Sequence, residues 1–279
     1  ALSKPRPLAV PGPDPAQVEA LAGMLAAAER PLVWVGGAMD GPVEARDELV
    51  RLAESWGLPI CPTHRRPHLF DSHHPNYGGY IGNRVQKPLI EEMHRADLML
   101  ALGERISDAV SQSYTFPAAP DPQLPLVHVW PDPSELNRVF RADLPMACSP
   151  RALVQALLAR PAPVVSETRR EWVAGLHAIH RRLMEPEWQP AEDGLNFAAV
   201  FVELGKQLAP DATVTTDAGN FTSFMHRYVP FRRTQCFLGS AVGGMGAAVP
   251  MAVAASLRWP GRQRTSNPDW SAWPRRLLF

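Results

Sequence analysis

Apolar residues follow two different periods along the first half of the chain. Val18, Leu21, Leu25 and Ala28 recur at intervals of three and four and mark one face of a helix. The helix opens at Asp14-Pro15-Ala16-Gln17: Asp14 as N-cap, Pro15 at the first helical position, Gln17 at the capping-box site. Residues 31–37 (PLVWVGG) form a continuous apolar run closed by glycines, as expected of a strand buried on both faces of a parallel sheet. Pro42 then opens a second helix with Leu49, Leu52 and Trp56 inward and Gly57 as C-cap, and 58–61 (LPIC) is a short strand. Two more bounded apolar runs, 97–103 and 126–130, are interspersed with helical patterns at 88–95 and 150–159. Strands alternating with helices predict an α/β fold with helices on both faces of a parallel sheet, so residues 15–160 read as one Rossmann-like domain. Residues 1–14, with four prolines, read as a semi-rigid linker.

The pattern changes after 161–163 (PAP). Residues 161–195 read as a linker and an Arg-rich helix over 166–184, with Trp172, Leu176 and Ile179 on its apolar side. A helix over 196–208 and a strand at 212–216 (ATVTT), running into DAGN at 217–220, open a second α/β unit. This unit, 196–262, has room for about two strands, and the expectation is an incomplete domain. Residues 263–279 (QRTSNPDWSAWPRRLLF) show no strand pattern, and the expectation is a tail out of frame or otherwise unrelated to the fold.

Composition removes several function classes. Lys+Arg and Asp+Glu each total 28, which gives no electrostatic footprint for nucleic acid or for an acidic membrane surface. No apolar run has the length of a membrane span, and the Pro-rich stretch 1–14 reads as a linker rather than as a signal peptide. Cys61, Cys148 and Cys236 lie far apart in no metal-ligand spacing, which fits a reducing compartment and predicts a cytoplasmic protein.

Three places invite chemistry. Gly36-Gly37 follows a strand, but the dinucleotide fingerprint needs a third glycine and an acidic end to the next strand, so these glycines read as a tight strand-to-helix turn. His64, His68, His73 and His74 cluster without zinc-site spacing and read as a surface loop facing a partner or an active-site entrance. DAGN (217–220) and GSAVGGMG (239–246) both lie where a strand hands over to a helix, the edge at which open α/β sheets bind ligands. Glycines there let backbone N–H groups approach an anion. Spacing alone leaves two readings open, a diphosphate-bearing cofactor site and a plain structural turn.

Taken together, the segments AERPLVWVGG, FDSHHPNYGG, RADLMLALGERISD, LVHVWPDPSEL, RADLPM, TTDAGNF and GGMGAAVPMAVAA resemble, in order and spacing, thiamine-diphosphate-dependent enzymes of the acetolactate synthase type. The resemblance implies a central Rossmann-like domain followed by a truncated diphosphate-binding domain. It places the backbone of Ala218, Gly219 and Asn220 beside the diphosphate. The Gly243 carbonyl would accept a hydrogen bond from the cofactor's aminopyrimidine, and Met245 would be the wedge that bends the cofactor into its reactive shape. It further implies a 2-keto acid substrate, carboligase or decarboxylase chemistry, Mg²⁺, and a homodimer or homotetramer in the complete enzyme. The family's glutamate-bearing first domain and its Gly-Asp-Gly metal motif have no counterpart in the sequence, so this chain alone is expected to be inactive and to bind the cofactor weakly or not at all.

Some members also hold FAD. Here Ser107 and Ala109 stand where an acidic residue and an arginine are usual, and VHVWPD replaces an acidic strand end, so FAD is not expected. Two other classes stay open: a non-catalytic protein binding FAD, ADP or a partner through Gly36-Gly37 and the loop around Arg105, and a decayed gene product of poor solubility.

Overall fold

The computed structural model describes residues 9–83, 85–186, 195–240 and 242–261. Its centre is a five-stranded, wholly parallel sheet in the order β2-β1-β3-β4-β5. The strands are β1 (Pro31–Val35), β2 (Ile60–Pro62), β3 (Leu98–Leu102), β4 (Leu126–Val129) and β5 (Leu144–Met146). β1 explains the layering, because its alternate side chains enter different cores. Val33 and Val35 pack with α1 (Pro15–Ala27), α2 (Val43–Trp56) and α4 (Pro150–Leu158). Leu32 and Trp34 pack on the opposite face with α3 (Lys87–Met93) and α5 (Glu167–Met184). The result is the doubly wound α/β sheet that the alternation of elements predicts.

Local sequence accounts for most element ends. Asp14 Oδ1 accepts hydrogen bonds from the N–H groups of Ala16 and Gln17 at 2.9 and 3.0 Å, a side-chain N-cap on α1. Gln17 departs from the capping-box expectation: its Nε2 donates across the layer to the Pro145 carbonyl, 3.0 Å away, and ties α1 to β5. β5 itself carries no periodic apolar pattern. It lies at the sheet edge, where Pro145 needs no N–H for a second neighbour.

Gly36 stands where β1 hands over to the next turn. A Cβ placed on it would lie 2.4 Å from the Gly103 carbonyl oxygen and 2.5 Å from Glu104 Cα, so the backbone of 103–104 closes the space. Gly36→Ala is therefore expected to cost about 1–3 kcal/mol of stability through forced backbone displacement. Thermal unfolding reads this directly, and an unchanged midpoint would contradict the close approach.

α5, which the sequence places between the two units, packs on the first. Trp172 Nε1 donates to the Pro31 carbonyl at 2.8 Å, and Trp172, Val173 and Leu176 join the core on the α3 side.

The second unit pairs β6 (Thr213–Thr216) in parallel with β7 (Cys236–Gly239), with helices α6 (Phe197–Gln207), α7 (Phe221–Tyr228) and α8 (Ala248–Arg258). Its core is small, centred on Val214, Met225, Val229, Phe231 and Phe237. It is moored to the first unit by polar contacts. Arg46 Nη1 donates to the carbonyls of Arg233 and Gln235 at 2.6 and 2.9 Å, and Ser72 donates to the Phe231 carbonyl through both its N–H and its Oγ. Val249, Val253 and Leu257 leave an apolar stripe of α8 in solvent. Among the described residues no helix is long and apolar enough to cross a membrane. The tail 263–279 lies outside the described residues.

Candidate functional site

The two turns singled out in the sequence lie together at the carboxyl edge of the β6–β7 sheet. DAGN connects β6 to α7, and 239–246 connects β7 to α8. Asp217 ties them: its Oδ1 accepts the N–H of Ala248 at 2.7 Å. The amides of α8's first turn, chiefly that of Ala248, hold the Asp217 carboxyl below its usual range. The positive end of α8 is thereby occupied by the protein's own carboxylate.

The other turn is open. Among the described residues the backbone N–H groups of Ala218, Gly219 and Asn220 donate to no protein acceptor. Asn220 makes no side-chain cap on α7, while the N–H groups of Thr222 and Ser223 are spent on the carbonyls of Gly219 and Asn220. Three free amides at the start of a helix are a cradle for an anion. Gly243 adopts φ +74, a left-handed conformation that side chains other than glycine's resist. Ser240 shapes this loop: its Oγ accepts the N–H of Gly244 at 2.8 Å. Met245 is 85% exposed, projecting from the loop into solvent.

The 217–220 turn, with Gly239 and Ser240 at the start of the other, lines a cleft of about 880 Å³ between the two units. The first unit supplies His64, Arg65, Tyr80 and Gln112, and the second supplies the 218–220 turn and His226. Tyr80 stacks on His226 with centroids 4.4 Å apart, and His226 meets Phe237 edge-on at 5.0 Å. Burial lowers His64 to about 4, with the Arg65 and Arg66 charges adding to it, and lowers His226 to about 3, with His64 and Arg65 adding. Both rings are neutral at pH 7, and the Nδ1 of each is buried without a partner among the described residues.

The four-histidine segment thus divides. His64 lines the cleft, as a loop at a site entrance would. His68 corrects the surface-loop reading: it is 0% exposed, beneath the sheet edge, with Nε2 3.3 Å from Asp40 Oδ1. Among the described residues no three His, Cys, Asp or Glu side chains gather as metal ligands. Arg65, Tyr80 and His226 were not named as site residues from the sequence, since their place in the cleft depends on the docking of two units, and Ser240 lies within the 239–246 turn without having been singled out there.

The switch point between β1 and β3, where a nucleotide would bind in this topology, is filled. Glu104, 9% exposed, bonds Thr63 Oγ1 through Oε2 and accepts the Ile106 N–H through Oε1 at 3.2 Å. Burial raises its carboxyl above the usual range, against the hydrogen bond from Thr63. A Cβ on Gly36 would lie 2.5 Å from that carboxylate. The nearby Arg105 is engaged by Glu135 at 3.0 Å.

Residues 18–157 match the family model of the thiamine pyrophosphate enzyme central domain. The chain is 30% identical over 258 residues to the acetolactate synthase of Mycobacterium bovis, covering 90% of this chain and 41% of that protein. It is 28% identical over 257 residues to the acetolactate synthase large subunit of Corynebacterium glutamicum, covering 90% and 40%. A probable acetolactate synthase large subunit of Methanocaldococcus jannaschii is 26% identical over 255 residues, covering 88% and 42%. The chain therefore spans about two fifths of the length of the curated relatives it matches.

Proposed function

Because the chain belongs to the thiamine pyrophosphate enzyme family, we propose that it serves an acetolactate synthase-like enzyme that uses thiamine diphosphate with Mg²⁺ to act on a 2-keto acid. The observation that supports the cofactor assignment is the set of free amides at Ala218, Gly219 and Asn220, facing a cleft at the carboxyl edge of a parallel sheet. When bound, thiamine diphosphate supplies an electron sink for decarboxylating a 2-keto acid and for transferring the remaining fragment.

The residues divide the work. The 218–220 amides hold the diphosphate by charge-assisted hydrogen bonds. Asp217 fixes the spacing of the two turns through Ala248, and its carboxylate keeps α8's amides from competing for the anion. Gly243, with its left-handed backbone and open face, offers its carbonyl to the ring portion, and Met245 supports that portion from the loop tip. A Mg²⁺ ion in such a site draws most of its ligands from phosphate oxygens and water.

The free amides of 218–220 address the diphosphate, so binding is expected to be weak and to depend on that group. Calorimetry of the 279-residue chain with Mg²⁺ should give dissociation constants on the order of 1 mM for thiamine diphosphate and for inorganic pyrophosphate, and no binding of unphosphorylated thiamine. Ala218→Asp, which brings a like charge to the cradle, should abolish both. Equal binding of thiamine, or full binding by Ala218→Asp, would overturn the reading.

A further inference from the structure

Arg65 has backbone φ +63, in the left-handed region, and is held there by its N–H donating to Tyr80 Oη at 2.8 Å. Six described residues other than glycine have positive φ, and three of them, Arg65, Gln112 and Ser113, line the one cleft that holds the cofactor turns. Strain of this kind persists only where surrounding structure over-determines it, and it gathers at ligand sites. Position 65 would be more comfortable as glycine, so its side chain is the feature to explain.

That side chain crosses toward the second unit. Its Cδ lies 3.5 Å from where a Cβ on Gly239 would be. A Cβ on Gly243 would lie 3.8 Å from the Arg65 Nη2 and 4.0 Å from Ala218 Cβ, so the guanidinium and the 218–220 turn converge on the same face of Gly243. Nearby arginines are spoken for. Arg66 pairs with Asp40 at 3.7 Å, and Arg227 donates to the Leu183 carbonyl and to Gln86. Of the carboxylates lining the cleft, Asp217 is engaged by Ala248, and Asp108 makes no ion pair with Arg65. Among the described residues the Arg65 guanidinium has neither an ion-pair nor a hydrogen-bond partner.

We propose that Arg65 is the residue that anchors the carboxylate of the 2-keto acid, holding it against the Gly243 face from the wall opposite the diphosphate amides. This rests on the cofactor reading above. A guanidinium fork suits a planar carboxylate, which it can engage with two parallel hydrogen bonds. The terminal phosphate already has the 218–220 amides. The neutral imidazole of His64, the neighbouring residue, lines the same wall without a competing charge. Tyr80, stacked on His226, is the positioning group that sets Arg65's backbone and so aims its side chain.

The test uses the 279-residue chain, with pyruvate as probe and methyl pyruvate as its uncharged counterpart, followed by saturation-transfer NMR. Wild type is expected to bind pyruvate, and Arg65→Met and Arg65→Gly to weaken it about tenfold to a hundredfold. Arg65→Lys should recover part of that loss, and methyl pyruvate should not distinguish the variants. Arg65→Gly guards against a folding artefact, because glycine accepts φ +63 and should unfold no earlier than wild type. Pyruvate binding unchanged in Arg65→Met and Arg65→Gly, or absent in wild type, would overturn the proposal. So would loss of pyrophosphate binding with pyruvate retained, since Arg65 would then serve the diphosphate. If wild type binds pyruvate but not pyrophosphate, the cofactor reading fails while the pyruvate comparison still decides the role of Arg65.

Discussion

Between pH 7 and pH 5 the protein is expected to lose about 4 kcal/mol of stability, from His180 and His226 together. Burial holds both imidazoles at about 3, with the charge of His177 adding at His180 and those of His64 and Arg65 adding at His226. In the unfolded chain each returns to about 6.5. Across this window the unfolded state binds protons that the folded state refuses, so stability falls as pH falls through 6.5 and keeps falling toward the folded values. Each residue contributes about 2 kcal/mol by pH 5. His64, at about 4 and partly exposed, adds less in the same direction. Glu104 acts with the opposite sign: its raised carboxyl favours the folded state as pH drops, which offsets part of the loss. Asp40, drawn down to about 2 as its bond to His68 and the charges of Arg46 and Arg66 outweigh burial, matters only below its unfolded value near 4.

Urea titrations followed by tryptophan fluorescence at pH 7 and pH 5 measure the difference. Replacing His180 and His226 together by glutamine should flatten the dependence. If wild type keeps its midpoint at pH 5, the two rings are not buried as described. Because His226 carries the stacking contact with Tyr80 across the two units, the cleft should open before the five-stranded sheet melts.

Replacing Arg169 by methionine is expected to destabilise the fold by about 3–5 kcal/mol, a loss of about 10 °C in the unfolding midpoint. Arg169 is 2% exposed. Its Nη2 donates to the Leu25 carbonyl at 2.6 Å and also bonds the Ala28 carbonyl, while Nη1 donates to the Trp56 carbonyl at 3.1 Å. Leu25 and Ala28 lie at the end of α1 and Trp56 is the last residue of α2, so one guanidinium satisfies orphan carbonyls at two helix ends where the charge also favours the local dipole. Methionine keeps most of the stem's volume but leaves those carbonyls buried without donors. Arg169→Lys should fall between the two, because an ammonium cannot span both helix ends. Equal stability of wild type and Arg169→Met would mean that water replaces the clamp.

The contrast between Arg169 and Arg65 shows where sequence reading reaches its limit. Both sit in segments whose local pattern was legible: Arg169 in a helix, Arg65 in a His- and Arg-rich loop. Nothing in either segment distinguishes a guanidinium buried on helix-end carbonyls from one facing a cleft. Arg169's partners are more than 110 residues away in sequence. Arg65 gains its meaning from Gly239 and Gly243 in another unit. The same holds for His68, which composition and spacing assign to the surface and the structure buries against Asp40.

What the sequence determined by itself was whatever depends on near neighbours. The 3.6-residue period of α1, α2 and α4, the unbroken apolar runs of β1 and β3, the Asp14 cap and the Gly57 terminus are local facts, fixed by backbone geometry and by the need to bury one face or two. The DAGN turn was legible for the same reason, since a strand ending in a small-residue turn before a helix places amides at a sheet edge wherever it occurs. The tertiary structure decided β5, whose three residues earn their strand by lying beside β4, and the side chains that complete the cleft. It also decided that Asp217 caps α8 and so leaves the anion to the other turn. Those outcomes rest on contacts between segments far apart in the chain, and hydrophobic periodicity carries no record of which distant surfaces will meet.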